Sequence, residues 1–197
     1  MSPRLPLLTI ALVAGLAITA TAELDLKPHY TNAGGLVRRA YFADGEKKYA
    51  VTLDSGTQLS EADNGALFRF TNVPQATMLL RRTPLPKVLP FDAESLPAYT
   101  KAAQALLPAS AEDVVIEAQK ANVLPINKWH TYRFVFTYRI GSGQMKESIT
   151  FLNLDDGQQI VVQTGSRLAT FEGIAARADD IIRRWHEMLP GSENELN

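Results

Sequence analysis

Between His130 and Ile140 apolar and polar residues alternate. Tyr132, Phe134, Phe136, Tyr138 and Ile140 fall on one side, and Thr131, Arg133, Val135, Thr137 and Arg139 on the other. A repeat of two is the repeat of a strand, whose successive side chains point to opposite faces. The pattern predicts a strand with one aromatic core face and one mostly polar face. Gly141-Ser142-Gly143 reads as a turn into a second strand, Gln144 to Leu154, and Asp155-Asp156-Gly157 as a turn into a third, Gln158 to Thr164. Three such strands make an antiparallel meander.

The repeat then changes. Phe171, Ile174, Ala175, Ala178, Ile181, Ile182, Trp185 and Leu189 form a helical stripe that Pro190-Gly191 stops. Asp179 with Arg183 and Asp180 with Arg184 are expected as four-residue pairs on its exposed side. The aromatic row from Tyr132 to Tyr138 is expected to pack against Phe171, Ile174 and Trp185 of this helix.

Upstream, Leu36 to Ala43 and Glu46 to Leu53 are β-rich runs around Asp44-Gly45, a dipeptide suited to a two-residue hairpin turn. Ala66 to Thr71 and Ala76 to Arg82 form a second pair, with Pro74 in the connection. The stretch between the pairs, Asp54 to Asn64, reads as polar turn. After Pro84, Pro86 and Pro90 a helix is expected over Leu96 to Leu107, capped by Ser95 or Asp92 and closed by Pro108. Val114 to Lys120 reads as a strand and Asn122 to Lys128 as a loop. These elements describe an α+β domain, a mostly antiparallel β-sheet flanked by helices, with the long C-terminal helix packed on the sheet.

The first 22 residues have another logic. Arg4 precedes the 12-residue apolar run Leu7 to Ile18, and Ala20-Thr21-Ala22 is an A-x-A cleavage site, so 1–22 reads as a cleaved signal peptide. The apolar run is shorter than the roughly 20 residues of a spanning helix. Export to a periplasm or beyond the cell is expected, with no transmembrane segment after cleavage. Residues 23–35, with Pro28, Asn32, Gly34 and Gly35, read as an irregular lead-in, 36–190 as a single domain, and 191–197 as a polar tail.

Composition narrows the chemistry. Cleavage leaves 175 residues with 19 basic against 21 acidic groups, a net charge of −2, which disfavours phosphate-backbone binding, so no nucleic-acid partner is expected. A chain of that length buries about 70% of its unfolded surface and can stand without disulfides, consistent with the absence of Cys. His29, His130 and His186 have no metal-ligand spacing. Neither Gly141-Ser142-Gly143 nor Gly165-Ser166 fits a nucleophile elbow, and the adjacent acids Asp155-Asp156 and Asp179-Asp180 point apart. No catalytic residue, metal or cofactor is assigned. Arg69, Arg133 and Arg139 lie opposite Phe68, Phe70, Phe134 and Phe136 on their strands, and if those strands are neighbours the arginines form a cationic patch for an anionic group.

The second half also resembles the PsbP-like fold group, which includes extrinsic photosystem II proteins and bacterial envelope proteins of the DcrB kind. The resemblance rests on the helix Leu96 to Leu107, the segment Val123-Leu124-Pro125-Ile126-Asn127-Lys128-Trp129, the aromatic strand Tyr132 to Tyr138, Gly157-Gln158-Gln159-Ile160-Val161-Val162, and the ending Phe171 to Trp185. It spans roughly Tyr49 to Leu189 and implies an αβα sandwich with a non-enzymatic role in binding or assembly. No catalytic residue transfers. Arg133 and Arg139 depart from it by implying a sheet face not wholly covered.

The expected function is an exported, non-catalytic binding or scaffolding module acting through a protein partner or envelope complex. The alternative is a carrier of a small apolar or anionic ligand, with a cavity lined by Phe134, Phe136 and Tyr138. A hydrolase, with a cleft gathering His130 or His186 and an acid, ranks below both.

Overall fold

A computed structural model of the chain describes residues 23–30, 36–44, 47–62, 65–124, 129–154 and 158–187. The expected signal peptide 1–22, the turn residue Gly45, the turn Asp155 to Gly157 and the tail 191–197 lie outside the described residues. In chain order the elements are β1 (Glu23–Tyr30), β2 (Leu36–Asp44), β3 (Lys47–Leu53), β4 (Thr57–Ala62), β5 (Gly65–Phe70), β6 (Thr77–Arg82), α1 (Leu96–Ala105), β7 (Glu112–Ala121), β8 (His130–Ile140), β9 (Gly143–Asn153) and β10 (Gln159–Arg167). A 3-10 turn, Leu168–Thr170, leads into α2 (Phe171–Arg183), and β11 (His186–Glu187) follows.

Two antiparallel sheets result. One has the order β1-β2-β3-β11 and the other β4-β5-β6-β10-β9-β8-β7. The expected hairpins and meander are present: β2 pairs with β3, β5 with β6, and β8, β9 and β10 run as neighbours.

A helix covers each face of the larger sheet, giving an α+β sandwich of three layers. Phe134, Phe136, Tyr138, Ile149, Phe151 and Val161 meet Tyr99, Ala102 and Ala103 of α1. On the other face Phe68, Met78, Leu80, Leu152 and Val162 meet Ile174, Ala178, Ile181 and Ile182 of α2. Val51 and Leu53 of β3 join this second cluster, so the smaller sheet shares its core.

The aromatic row of β8 therefore packs on α1, not on the C-terminal helix as its pattern was expected to do. An amphipathic stripe states that a helix buries one side without stating which sheet face receives it. Here α2 follows β10 after a single 3-10 turn, and the aliphatic face of β6, β10 and β9 takes it.

Three other expectations are corrected. The supposed irregular lead-in contains β1, paired with β2 from Glu23 opposite Ala43 to Tyr30 opposite Leu36. Pro28 fits because β1 is an edge strand. The supposed turn over Asp54 to Asn64 contains β4, whose polar composition suits an edge paired only with β5. Finally, α2 ends at Arg183. The amide of Arg184 donates to the carbonyls of Asp180 and Ile181, and the chain then straightens so that His186 pairs with Ala50. His186 thus belongs to a strand, although the expected helical stripe ran on to Leu189.

Candidate functional site

The register decides where the three candidate arginines go. Ala66, Leu80, Val162, Thr150 and Arg133 form one row across the larger sheet, on the face under α2. Arg133 is largely covered there: its Nη1 and Nη2 donate to Asp179 at 3.0 and 2.6 Å, and its Nε donates to Thr150 at 2.7 Å. Asp179 turns inward to this pair instead of outward to Arg183, whereas the expected Asp180 to Arg184 pair is present. The sheet face expected to stay partly bare is thus covered by α2 at Arg133. Arg139 is exposed near the end of β8 and holds Asp113 and Glu112 at 2.7 and 3.2 Å. Arg69 sits on β5 between Phe68 and Phe70, which face α2, so it points to the opposite side, where it donates to Ser60 at 3.0 Å. With β6, β10 and β9 between their strands, Arg69 and Arg133 are not brought together.

Beside Arg133 a groove of about 440 Å³ runs between α2 and the strands β7 to β9. Ionic crosspieces frame its two ends. Arg133 to Asp179 is one. Lys146 is the other, donating to Glu117 of β7 at 2.9 Å and Glu172 of α2 at 3.0 Å, with its ammonium over the Phe171 ring. Glu117 and Glu172 hold the Lys146 pKa above its usual range. Seven residues of helix separate Glu172 from Asp179, about 10 Å. Ala118, Val135, Ala175 and Ala176 line the space between. The charges in this groove answer one another.

Under α1 a second polar system is buried. Four adjacent strands contribute one residue each. Arg81 donates through Nη2 to Gln163 at 2.8 Å, and Gln163 donates through Nε2 to Glu147 and to the carbonyl of Leu106 at the end of α1. Tyr138 donates its hydroxyl to Glu147 at 2.6 Å. Glu147 is 3% exposed, and its desolvation pushes its pKa up against the lowering effect of Tyr138, Gln163 and Arg81. Burial likewise raises the Tyr138 pKa and lowers that of Arg81.

Nearby, Phe134 and Phe136 are fully buried, and rings of Tyr99, Phe151 and Phe134 pack edge to face at 4.9 and 6.2 Å. The space in which a carrier cavity was expected holds packed side chains.

The open surface lies elsewhere. Among the described residues four large hydrophobics are exposed: Val114, Val115, Ile140 and Leu168. All four belong to one end of the larger sheet, the end bearing the β8–β9 turn, because Val115 lies opposite Thr137, Ile140 opposite Gly143, and Leu168 follows Arg167, which lies opposite Met145. Ile140 and Leu168, exposed by 39 and 40%, line a depression of about 760 Å³ together with Met145, Ala169, Gln75 and Arg167. Arg167 donates through Nε to Gln75 at 2.8 Å. Sequence reasoning missed this site because its residues come from three segments. The available signal was Ile140, an apolar residue set directly against a Gly-Ser-Gly turn.

His130 is exposed, and among the described residues no three of His, Asp or Glu gather as a metal-binding group. Among the described residues no helix is long and apolar enough to cross a membrane.

No protein-family model matches the sequence, and no curated protein matches it. Solved structures do. Cyanobacterial PsbP (CyanoP) from Synechocystis is 11% identical, with 91% of this chain and 99% of that one covered at a TM-score of 0.48. The Ran-binding protein Mog1p from Saccharomyces cerevisiae is 7% identical, covering 83% and 96% at 0.48. LpqN from Mycobacterium tuberculosis, described as involved in cell envelope biogenesis, is 9% identical, covering 84% and 92% at 0.50. The chain shares the fold of LpqN. At these identities the likeness is one of fold.

Proposed function

We propose that this PsbP-like chain is an exported, non-catalytic binding module that works by docking a protein partner, alone or within an envelope complex. One observation carries the reading: the exposed large hydrophobics gather at one end of the sheet, and two of them line a single concave surface. Scattered exposed apolar residues are ordinary, but exposed apolar side chains that share one depression favour an interaction site. The N-terminal pattern of Arg4, the apolar run and Ala20-Thr21-Ala22 supports export.

The edge strand β7 is a poor place for simple strand addition. Its ladder to β8 is broken by irregularities between Glu112 and Val115 and between Ile116 and Ala118, and bulged, charged edges resist pairing with another chain. Side-chain docking at the sheet end is the better fit.

A photo-crosslinking amino acid at position 168, compared with one at exposed Gln104 on α1, tests the reading in producing cells. The expected result is an adduct of defined mass from 168 and none from 104. Equal labelling from both positions, or none from either, rejects it.

A further inference from the structure

The geometry points to the chemistry of the partner: we infer that the depression at the β8–β9 end receives an apolar protein segment carrying one carboxylate, and that Arg167 is the receptor for that carboxylate. The inference rests on the docking reading above and narrows it.

Four observations carry it. Among the described residues Arg167 is the only charged one lining the depression, so the site is cationic within an otherwise neutral wall. Its Nε edge is fixed by Gln75, and among the described residues no carboxylate pairs with it, whereas Arg139 at the same end already holds two. A guanidinium anchored at Nε presents its Nη groups for a forked pair with a carboxylate. Gln75 itself sits at φ 64°, a backbone region that favours glycine, so the anchor is held in a costly conformation. Ile140, Met145 and Leu168 supply the apolar contact around it.

Concavity argues for a protein segment over a lipid surface. A membrane takes up apolar side chains that project, while here Ile140 and Leu168 line a hollow that side chains fill.

The test uses the exported chain and three fluorescent peptides with one shared leucine-rich frame, differing only by Glu, Gln or Lys at a single position, with anionic phosphatidylglycerol vesicles as a fourth probe. The Glu peptide is expected to bind about tenfold more tightly than the Gln peptide, the scale of one charge-assisted hydrogen-bonded pair. Arg167→Gln should abolish that preference, and Leu168→Asp should weaken all three. Arg167 is exposed, so a melting curve matching the parent is expected to show that the fold is kept. No preference for Glu over Gln, with binding still lost in Leu168→Asp, overturns the carboxylate assignment and leaves the docking reading standing. Binding to vesicles alone overturns both, as does no binding to any probe.

Discussion

Tyr138 and Glu147 lie diagonally across β8 and β9, and the phenol donates to the carboxylate at 2.6 Å within a core where Glu147 is almost wholly out of water. This buried acid accepts hydrogen bonds from Tyr138 of β8 and Gln163 of β10, and Arg81 of β6 is bonded to Gln163, which makes the core on the α1 side dependent on polar geometry as well as on apolar contact.

The first expectation concerns pH. Desolvation raises the Glu147 pKa above its ordinary 4.5, so the folded chain holds this proton more tightly than the unfolded chain. The corresponding stability is fully present below 4.5 and is lost as pH rises through the raised folded value. Glu147→Gln removes this dependence. Denaturant midpoints from acid to neutral pH should fall in the parent by more than in the variant, and parallel curves would reject the assignment.

Removing one donor from that acid should be costly. Tyr138→Phe is expected to destabilise by about 1–3 kcal/mol, the scale of leaving a buried acceptor short of a partner. Tyr132→Phe on the same row is the control, because Tyr132 is half-buried and has no part in the Glu147 network. Equal losses from both variants in urea titration would contradict the account.

Asp54 is shifted in the opposite sense. Arg177 donates to Asp54 through Nε at 2.6 Å and Nη2 at 2.5 Å while lying over the Phe70 ring, tying α2 to the β3–β4 turn. The hydrogen bonds from Arg177 hold the Asp54 pKa below 3.8 despite partial desolvation. Stability from this pair is present above that value and is lost as pH falls through the depressed one. Because both side chains retain solvent contact, Asp54→Ala should cost only about 1 kcal/mol at neutral pH. Its acid-unfolding limb should be shallower than the parent's.

Arg133 and Asp179 fasten α2 to β8 across 46 residues of sequence. A double-mutant cycle with Arg133→Gln and Asp179→Asn should give a coupling of about 0.5–3 kcal/mol, as for groups in one hydrogen-bonded network. Additive losses would show that the pair does not couple the helix to the sheet.

Gly65 opens β5 where the chain passes close to β6. A Cβ there would meet the Leu80 carbonyl oxygen at 1.9 Å, a backbone atom that cannot swing away. Gly65→Ala should therefore destabilise by more than about 1 kcal/mol, beyond what alanine gains from a more restricted unfolded chain. A melting temperature equal to the parent's would remove the constraint.

Much of this molecule is legible from local pattern. Strict alternation from Thr131 to Ile140 determines a strand and the two sides of it, and the apolar stripe from Phe171 to Ile182 determines a helix with one buried face. Pro74 falls in the connection between β5 and β6, as its sequence position indicated. The edge strands β1 and β4 were lost, because they carry Pro or polar residues that an interior strand would not tolerate and that read locally as loop.

The sites were decided by tertiary structure. Periodicity tells which residues share a face of one strand, but Phe68 and Phe134 share a chemistry and not a side of the sheet, so Arg69 and Arg133 part company. Asp179 looks like a surface partner for Arg183 until α2 is laid on the sheet and Arg133 comes within 2.6 Å. Ile140, Arg167, Leu168 and Gln75 meet only because β10 returns beside β9 and β6. Local repeat is set by backbone geometry and can be read along the chain. Which face meets which helix, and which charges are left without a partner, depends on contacts between distant segments that no single stretch of sequence contains.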